Sequence, residues 1–212
     1  KKYRISLIVG WSLLFFAFYI SFRAAKYTDA IPVISVGDLI LDAIPTLDLH
    51  FLYFYVFYVI IAVVTIYQIF FRPEILPFCA KTITAFILIR AFFISLTHIG
   101  APADYFQLPQ LDSQDGLIKL FFQKDLFFSG HTGFPFLAAL LFWENKFLRY
   151  FMLAMSVVQG VTVLFMHVHY SIDVFSAYFI TYAIFVVSDR LFNRLNKQFR
   201  LIVDEIKEIA KM

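Results

Sequence analysis

Long hydrophobic runs separated by shorter polar segments dominate this chain. A helix that crosses a bilayer needs about 20 mostly apolar residues. By that criterion the pattern predicts six transmembrane helices, at residues 5–22, 50–71, 75–97, 127–142, 147–166 and 170–188. The fourth run is the shortest, so we expect it to begin deeper in the protein or to tilt little. The predicted fold class is all-α, a polytopic membrane protein.

The segments between and after these runs differ in character. Two long connections, residues 23–49 and 98–126, hold several carboxylates. In residues 189–212 apolar side chains recur at helical spacing among Lys and Arg, which is typical of an amphipathic helix on an anionic membrane surface. We therefore predict a six-helix membrane domain at 1–188 and a basic cytoplasmic tail at 189–212. The first run is longer than the apolar core of a signal peptide, so we interpret it as a retained helix.

Composition supports a membrane protein and excludes several other classes. The chain has 212 residues, of which 61% are hydrophobic and 16% are charged, whereas soluble domains average about 45–50% and about 25%. One Cys rules out an internal disulfide framework. The net charge of +3 gives no indication of a nucleic-acid partner, and no Cys/His zinc cluster occurs. Nothing in the sequence indicates an oligomeric state.

The distribution of basic residues predicts the orientation of the helices. With six crossings, both termini and the two short turns share one side. That side carries twelve Lys and Arg residues, against four in the two long loops. Basic residues concentrate on the cytoplasmic side of membrane proteins. We therefore predict cytoplasmic termini and long loops on the periplasmic, luminal or extracellular face.

The rare polar residues of the apolar runs converge on the outer face of this topology. Arg90 lies toward the outer end of the third run, His131 at the start of the fourth, and His169 and Asp173 between the fifth and sixth. Ionisable groups at membrane depth are costly and usually functional. Each of these patterns is weak by itself, and their convergence favours a catalytic site.

The start of the fourth run suits a phosphate group. Ser129 can cap a helix and Gly130 permits close approach to its backbone. Free amide hydrogens and the helix dipole attract anions at such a position. His131 follows directly, where its imidazole can protonate a leaving oxygen. These three residues are candidates for phosphate binding and acid catalysis.

The start of the sixth run suits a nucleophile. His169 and Asp173 are four residues apart and share one face of a helix. A carboxylate there can hold the imidazole in one tautomer and raise its nucleophilicity. Arg90 can bind phosphate oxygens in a bidentate manner. The predicted chemistry is phosphoryl-group transfer.

Three segments resemble sphingomyelin synthases. Residues 124–132 resemble the second active-site motif of that family, residues 169–181 resemble the third, and residues 38–45 resemble the first luminal loop. Those enzymes belong to the superfamily of type 2 phosphatidic acid phosphatases. The resemblance implies that superfamily's six-helix core, an outward-facing active site and membrane lipids as partners.

The resemblance also implies a role for each motif residue. His169 would be the nucleophile that forms a phosphohistidine, Asp173 its orienting carboxylate, and His131 the general acid and base. No metal or other cofactor is implied. Four further residues near these motifs are candidates for lining the site: His98, His167, Asp125 and Tyr170. For His98 and His167 a purely structural role is equally compatible with the sequence.

Departures from the phosphatase branch of the superfamily favour one reaction. Ile83 and Val163 stand where that branch has basic phosphate-binding residues. A phosphodiester headgroup carries less charge than a free phosphomonoester and needs fewer cations. The sequence therefore favours transfer of a phosphocholine-like headgroup from a glycerophospholipid to a ceramide or diacylglycerol-type acceptor. The alternatives are a lipid phosphate phosphatase, a phospholipase C-type hydrolase, and a non-catalytic lipid-binding membrane protein.

Overall fold

The computed structural model describes residues 2–106 and 126–209, and six α-helices form this part of the chain. A π-helical turn (Leu52–Val56) leads into the second helix, and short 3₁₀ turns lie at Leu41–Ala43 and Pro73–Ile75. The helices are α1 (Lys2–Asp29), α2 (Phe57–Phe70), α3 (Leu76–Leu96), α4 (Gly130–Leu141), α5 (Lys146–Phe165) and α6 (Ser171–Ile209). The predicted all-α class is confirmed, and each predicted run contains one of these helices in whole or in part.

Five helical segments in the described part of the chain are long and apolar enough to cross a membrane. They are Tyr3–Thr28, Leu52–Phe70, Pro73–Leu96, Lys146–Phe165 and Ser171–Phe192. The exception is α4, whose 12 residues extend about 18 Å, compared with about 30 Å for the hydrocarbon core of a bilayer. An integral membrane protein is therefore supported, and the count of six crossings stays a prediction.

The long sixth helix bears on the predicted domain division. α6 continues without a break from Ser171 to Ile209, so the backbone shows no interruption near residue 188. The division into a membrane domain and a separate tail stays a prediction.

The helices pack as two groups, which are joined by contacts between α3 and α6. α1 packs along α3, whereas α4 packs against α5 and α6. α2 contacts mainly α4 and α5 rather than its sequence neighbour α3. The Ser156 hydroxyl of α5 donates a hydrogen bond of 2.7 Å to the carbonyl of Thr132 in α4. α4 is thus enclosed on two sides, which explains how so short a helix is held in place.

The loops that follow α1 and α3 cover the turn between α5 and α6. The amide of Leu47 donates to the carbonyl of Phe165 over 2.7 Å, and that of Phe106 donates to Met166 over 3.1 Å. The two loops also pair with each other, because the amide of Gly100 donates to the carbonyl of Ile34 over 3.0 Å. The turn that leads into α6 is therefore fixed by backbone hydrogen bonds from distant segments.

Candidate active site

The N-terminus of α4 forms one half of the site. Ser129 is the N-cap, and its hydroxyl oxygen accepts from the amide of Thr132 at 3.4 Å. This capping explains why the helix starts at Gly130 although the hydrophobic run begins earlier. Ser129 is fully buried and His131 is nearly so. The amides of a helix start therefore point into the protein interior, where they can bind an anion.

The N-terminus of α6 forms the other half. The Asp173 carboxylate accepts from the amide of Tyr170 at 2.9 Å through Oδ2. This is the bond that the third residue of a helix makes back to its N-cap in a capping box. The same Oδ2 lies 3.3 Å from Nδ1 of His169, and both side chains are buried. A proton on Nδ1 directed at Asp173 leaves Nε2 of His169 with its lone pair available for nucleophilic attack.

Backbone contacts join the two halves. The amide of Ser129 donates to the carbonyl of Asp173 over 3.0 Å, so the two helix starts are directly bonded. Nε of Arg90 donates to the carbonyl of Phe128 over 2.7 Å. Its guanidinium lies so close to Gly130 that a Cβ there would stand 3.3 Å from Cζ and Nε of Arg90. The absence of a side chain at residue 130 thus lets the cation lie at the helix start.

Two aromatic rings contact His131: Tyr53 lies in the π-helical turn before α2, and Phe57 is the first residue of α2. The Tyr53 ring stacks on the imidazole with centroids 4.0 Å apart, and the Phe57 ring lies 4.3 Å away. His131, His169 and Arg90 line the same end of the cavity described below. These aromatic neighbours were not predicted. The sequence has 12 Tyr and 29 Phe, so no local signal distinguishes these two from lipid-facing rings.

The site opens into a cavity of about 330 Å³ between α1, α2 and α3. Arg90, Gly130, His131 and His169 line one end of the cavity, which we call the site end. The remaining lining is mostly apolar and comes from one face of each of the three helices. The cluster predicted from the sequence therefore lies at the end of a hydrophobic chamber.

Asp38 connects the loop after α1 to the start of α6. Its Oδ2 accepts from the amide of Ser171, the first residue of α6, at 2.7 Å. Its Oδ1 accepts from the amides of Ile40 and Leu41 at 2.9 and 3.1 Å. Burial by itself would raise the pKa of the Asp38 carboxyl, but the donors from Ser171, Leu41 and Ile40 outweigh it and lower the pKa. The sequence indicated a carboxylate-bearing loop but not this contact.

Tyr170, one of the four residues predicted to line the site, contacts the two long loops. Tyr170 is buried, and its hydroxyl donates to the carbonyl of Gly100 over 2.8 Å and accepts from the amide of Val36 at 3.1 Å. It therefore braces both long loops and does not line the cavity.

Neither of the two further histidine candidates lines the cavity. His167 is buried in the α5–α6 turn with φ of 51°, a left-handed conformation that His adopts more readily than most residues. His98 is exposed, and its ring lies 5.7 Å from that of Tyr27. Asp125 lies outside the described residues.

The donor set of the site suits phosphoryl transfer between nitrogen and oxygen. It combines two imidazoles, a carboxylate, a guanidinium and a capped helix start. No group of three or more His, Cys, Asp or Glu side chains placed to hold a metal ion occurs among the described residues.

Comparison with known proteins bears on the two motifs. No curated protein matches the chain. Residues 124–190 match the family model described as PAP2 superfamily C-terminal, and the matched segment contains His131, His169 and Asp173. Members of that superfamily are generally phosphatases or phosphotransferases. The match shows that this segment, which holds both motifs, is similar to the C-terminal part of PAP2 superfamily proteins.

Proposed function

We propose that the protein is a lipid headgroup phosphotransferase. It moves a phosphocholine-like group from a glycerophospholipid to a ceramide or diacylglycerol-type acceptor. One observation carries the proposal: His131 and His169 lie at the end of an apolar cavity that the transmembrane helices enclose. Such a chamber suits a substrate whose phosphate is attached to a hydrocarbon chain. The resemblance of both motifs to sphingomyelin synthases supports the same reaction.

The first half-reaction uses His169 as the nucleophile. Nε2 attacks the phosphorus of the donor, a P–N bond forms, and the P–O bond to the diacylglycerol breaks. His131 gives its proton to the departing oxygen. Asp173, 3.3 Å from Nδ1, stabilises the positive charge that develops on the His169 ring. Arg90 and the amides at the start of α4 stabilise the charge on the phosphate oxygens.

The second half-reaction reverses these roles. The acceptor hydroxyl gives its proton to His131, and its oxygen attacks the phosphorus. The P–N bond to His169 breaks and the lipid product leaves with the headgroup. Water in place of the acceptor would give hydrolysis by the same residues.

The cation content of the site favours a diester substrate. Of the Lys and Arg side chains in the described part of the chain, Arg90 alone lines the cavity. A phosphomonoester carries about 1.5 to 2 negative charges at neutral pH, whereas a phosphodiester carries one. A single guanidinium balances the diester but not the monoester. This observation favours headgroup transfer over phosphatidate dephosphorylation.

The test is a transfer assay in detergent with labelled phosphatidylcholine and ceramide. We expect the purified protein to form a labelled ceramide phosphodiester. His169→Ala should lower that rate by about 10³-fold or more, because the nucleophile is lost. His50→Ala is the matched control, since His50 is exposed, pairs with Asp48 and does not line the cavity.

Other products would identify the alternative reactions. Release of inorganic phosphate from phosphatidate, without transfer, would establish a phosphatase and reject the proposal. Release of phosphocholine and diacylglycerol would establish a phospholipase C-type hydrolase. Equal rates for wild type and His169→Ala would indicate that the site does not catalyse this chemistry.

A further inference from the structure

We infer that the cavity binds one acyl chain of the lipid substrate along its full length, and that its far end selects chain length. This inference rests on the proposed function, since it assumes a lipid phosphodiester at the site. The site end holds the phosphate, and the hydrocarbon chain extends from there between α1, α2 and α3.

The length of the cavity fits a membrane acyl chain. On α3 its lining extends from Arg90 at the site end to Leu76 at the far end. These residues are fourteen positions apart in one continuous helix, which corresponds to about 21 Å. One leaflet contributes about half of a hydrocarbon core of about 30 Å. The cavity is therefore long enough to hold the whole of an acyl chain that fills one leaflet.

The way the helices pack explains why this space exists. α1 packs along α3, and α2 packs against α4 and α5. Two helices that are neighbours in sequence, α2 and α3, are therefore held apart over most of their length. Each turns an apolar face toward the gap, and α1 closes its third side.

The cavity reaches the molecular surface beside the lipid. Three of its lining residues, Trp11 on α1 and Thr65 and Ile69 on α2, are exposed. They lie toward the ends of α1 and α2 that are remote from the site end. These three side chains therefore belong both to the cavity wall and to the surface that would contact the bilayer.

Gln68 places a polar boundary at the far end. It is a buried residue of α2 that lines the cavity near Leu76. A hydrocarbon chain that extended past it would cover the amide with apolar atoms and separate it from water, which is unfavourable. The side chain of Gln68 is thus suited to set the maximum length of the bound chain.

Two substitutions on the cavity wall test the inference in opposite directions. Ile83→Phe adds bulk halfway along α3, seven residues or about 10 Å from Arg90, and should exclude the far half of the cavity. Gln68→Leu removes the polar boundary and should admit longer chains. Ile89→Phe is the matched control, because Ile89 is a partly buried residue of the same helix that does not line the cavity.

The measurement is kcat/KM for headgroup transfer from donors that differ only in acyl-chain length. Each CH₂ group that loses its place in the cavity weakens binding about fourfold. We therefore expect Ile83→Phe to shift the short-chain to long-chain ratio at least about tenfold toward short chains. Gln68→Leu should shift the ratio toward long chains, and Ile89→Phe should leave it unchanged.

The outcomes separate this inference from the proposed function. If wild type transfers headgroups but Ile83→Phe and Ile89→Phe have the same chain-length profile, the chain lies elsewhere and the inference is wrong. If Ile83→Phe fails to fold, the profile of Gln68→Leu decides in the same way: an unchanged profile rejects the inference. If wild type and His169→Ala are equally inactive on every donor, the proposed function itself is rejected.

Discussion

At the scale of single residues, the site depends on side chains that fix the start of α6. Asp173 bonds both the imidazole of His169 and the amide of Tyr170. Asp38 reaches the next amide, that of Ser171, from a distant loop. Both carboxylates accept hydrogen bonds from amides at the start of the helix, and Asp173 also contacts His169, the proposed nucleophile. Removal of Asp38 should therefore disturb catalysis without touching the reacting atoms.

The lowered pKa of Asp38 gives this contact a defined pH dependence. A carboxyl whose pKa is lower in the folded state stabilises the fold above its unfolded pKa, about 3.9. That contribution is lost as pH falls through the folded pKa. We expect Asp38→Ala to lower the midpoint of thermal unfolding at neutral pH, and the difference from wild type to shrink as pH falls below about 4.

The control for this experiment is Asp42→Ala, which removes an exposed carboxylate from the same loop. Its unfolding midpoint should follow that of wild type at each pH. A constant difference between Asp38→Ala and wild type down to the lowest pH would show that the charge of Asp38 makes no contribution.

At the scale of elements, α4 is short and tightly enclosed. A Cβ on Gly133 would stand 2.9 Å from Oγ1 of Thr181 in α6 and 3.0 Å from the ring of Phe86 in α3. In an open helix, Gly→Ala stabilises by up to about 1 kcal/mol. Here overpacking should reverse the sign, and we expect Gly133→Ala to destabilise by about 1–3 kcal/mol.

Thermal unfolding in detergent measures this effect. Gly37→Ala is the control, because a Cβ at residue 37 meets only Oδ2 of Asp42 at 3.9 Å. An unfolding midpoint of Gly133→Ala equal to or above that of wild type would mean that α3 and α6 yield to the added methyl group.

The positions of the helices could be predicted from the sequence, whereas their exact ends could not. The hydrophobic runs predicted the positions of the helices, because a segment that contacts lipid must be mostly apolar. The ends of the helices do not follow from hydrophobicity alone. α1 extends to Asp29, beyond its predicted end at residue 22, and α4 starts where Ser129 caps it.

The proposed catalytic residues could be named from the sequence because they lie within two short motifs. The contacts of Tyr53 and Phe57 with His131 and the hydrogen bond from the Ser171 amide to Asp38 were not predictable. They join segments that are far apart in sequence, and neither has a local pattern of its own.

At the scale of the whole molecule, the orientation in the membrane is open to direct measurement. The one native cysteine, Cys79, is fully buried, so introduced cysteines report their own accessibility. We expect Leu39→Cys, in the exposed loop after α1, to react with an impermeant thiol reagent on intact cells. Lys146→Cys, at the exposed first residue of α5, should react only after the membrane is permeabilised.

This pair tests whether the chain crosses the membrane between residues 39 and 146 an odd number of times, as six crossings require. Reaction of both cysteines on intact cells would show that α4 returns to the side from which it came. The count of six crossings would then be wrong. Reaction of Lys146→Cys alone on intact cells would instead place the site on the inner face.

The short length of α4 affects how water reaches the site. Suppose that the turn after α4 lies at one boundary of the hydrocarbon core. Because the helix is about 18 Å long, its N-terminus then lies about 12 Å below the opposite boundary. Ser129 and His131 would then lie at the bottom of a depression in the membrane surface. A headgroup that descends into it exchanges bulk solvent for protein dipoles and displaces water from the reacting phosphorus. A second lipid already lies beside such a depression, whereas a water molecule must diffuse into it.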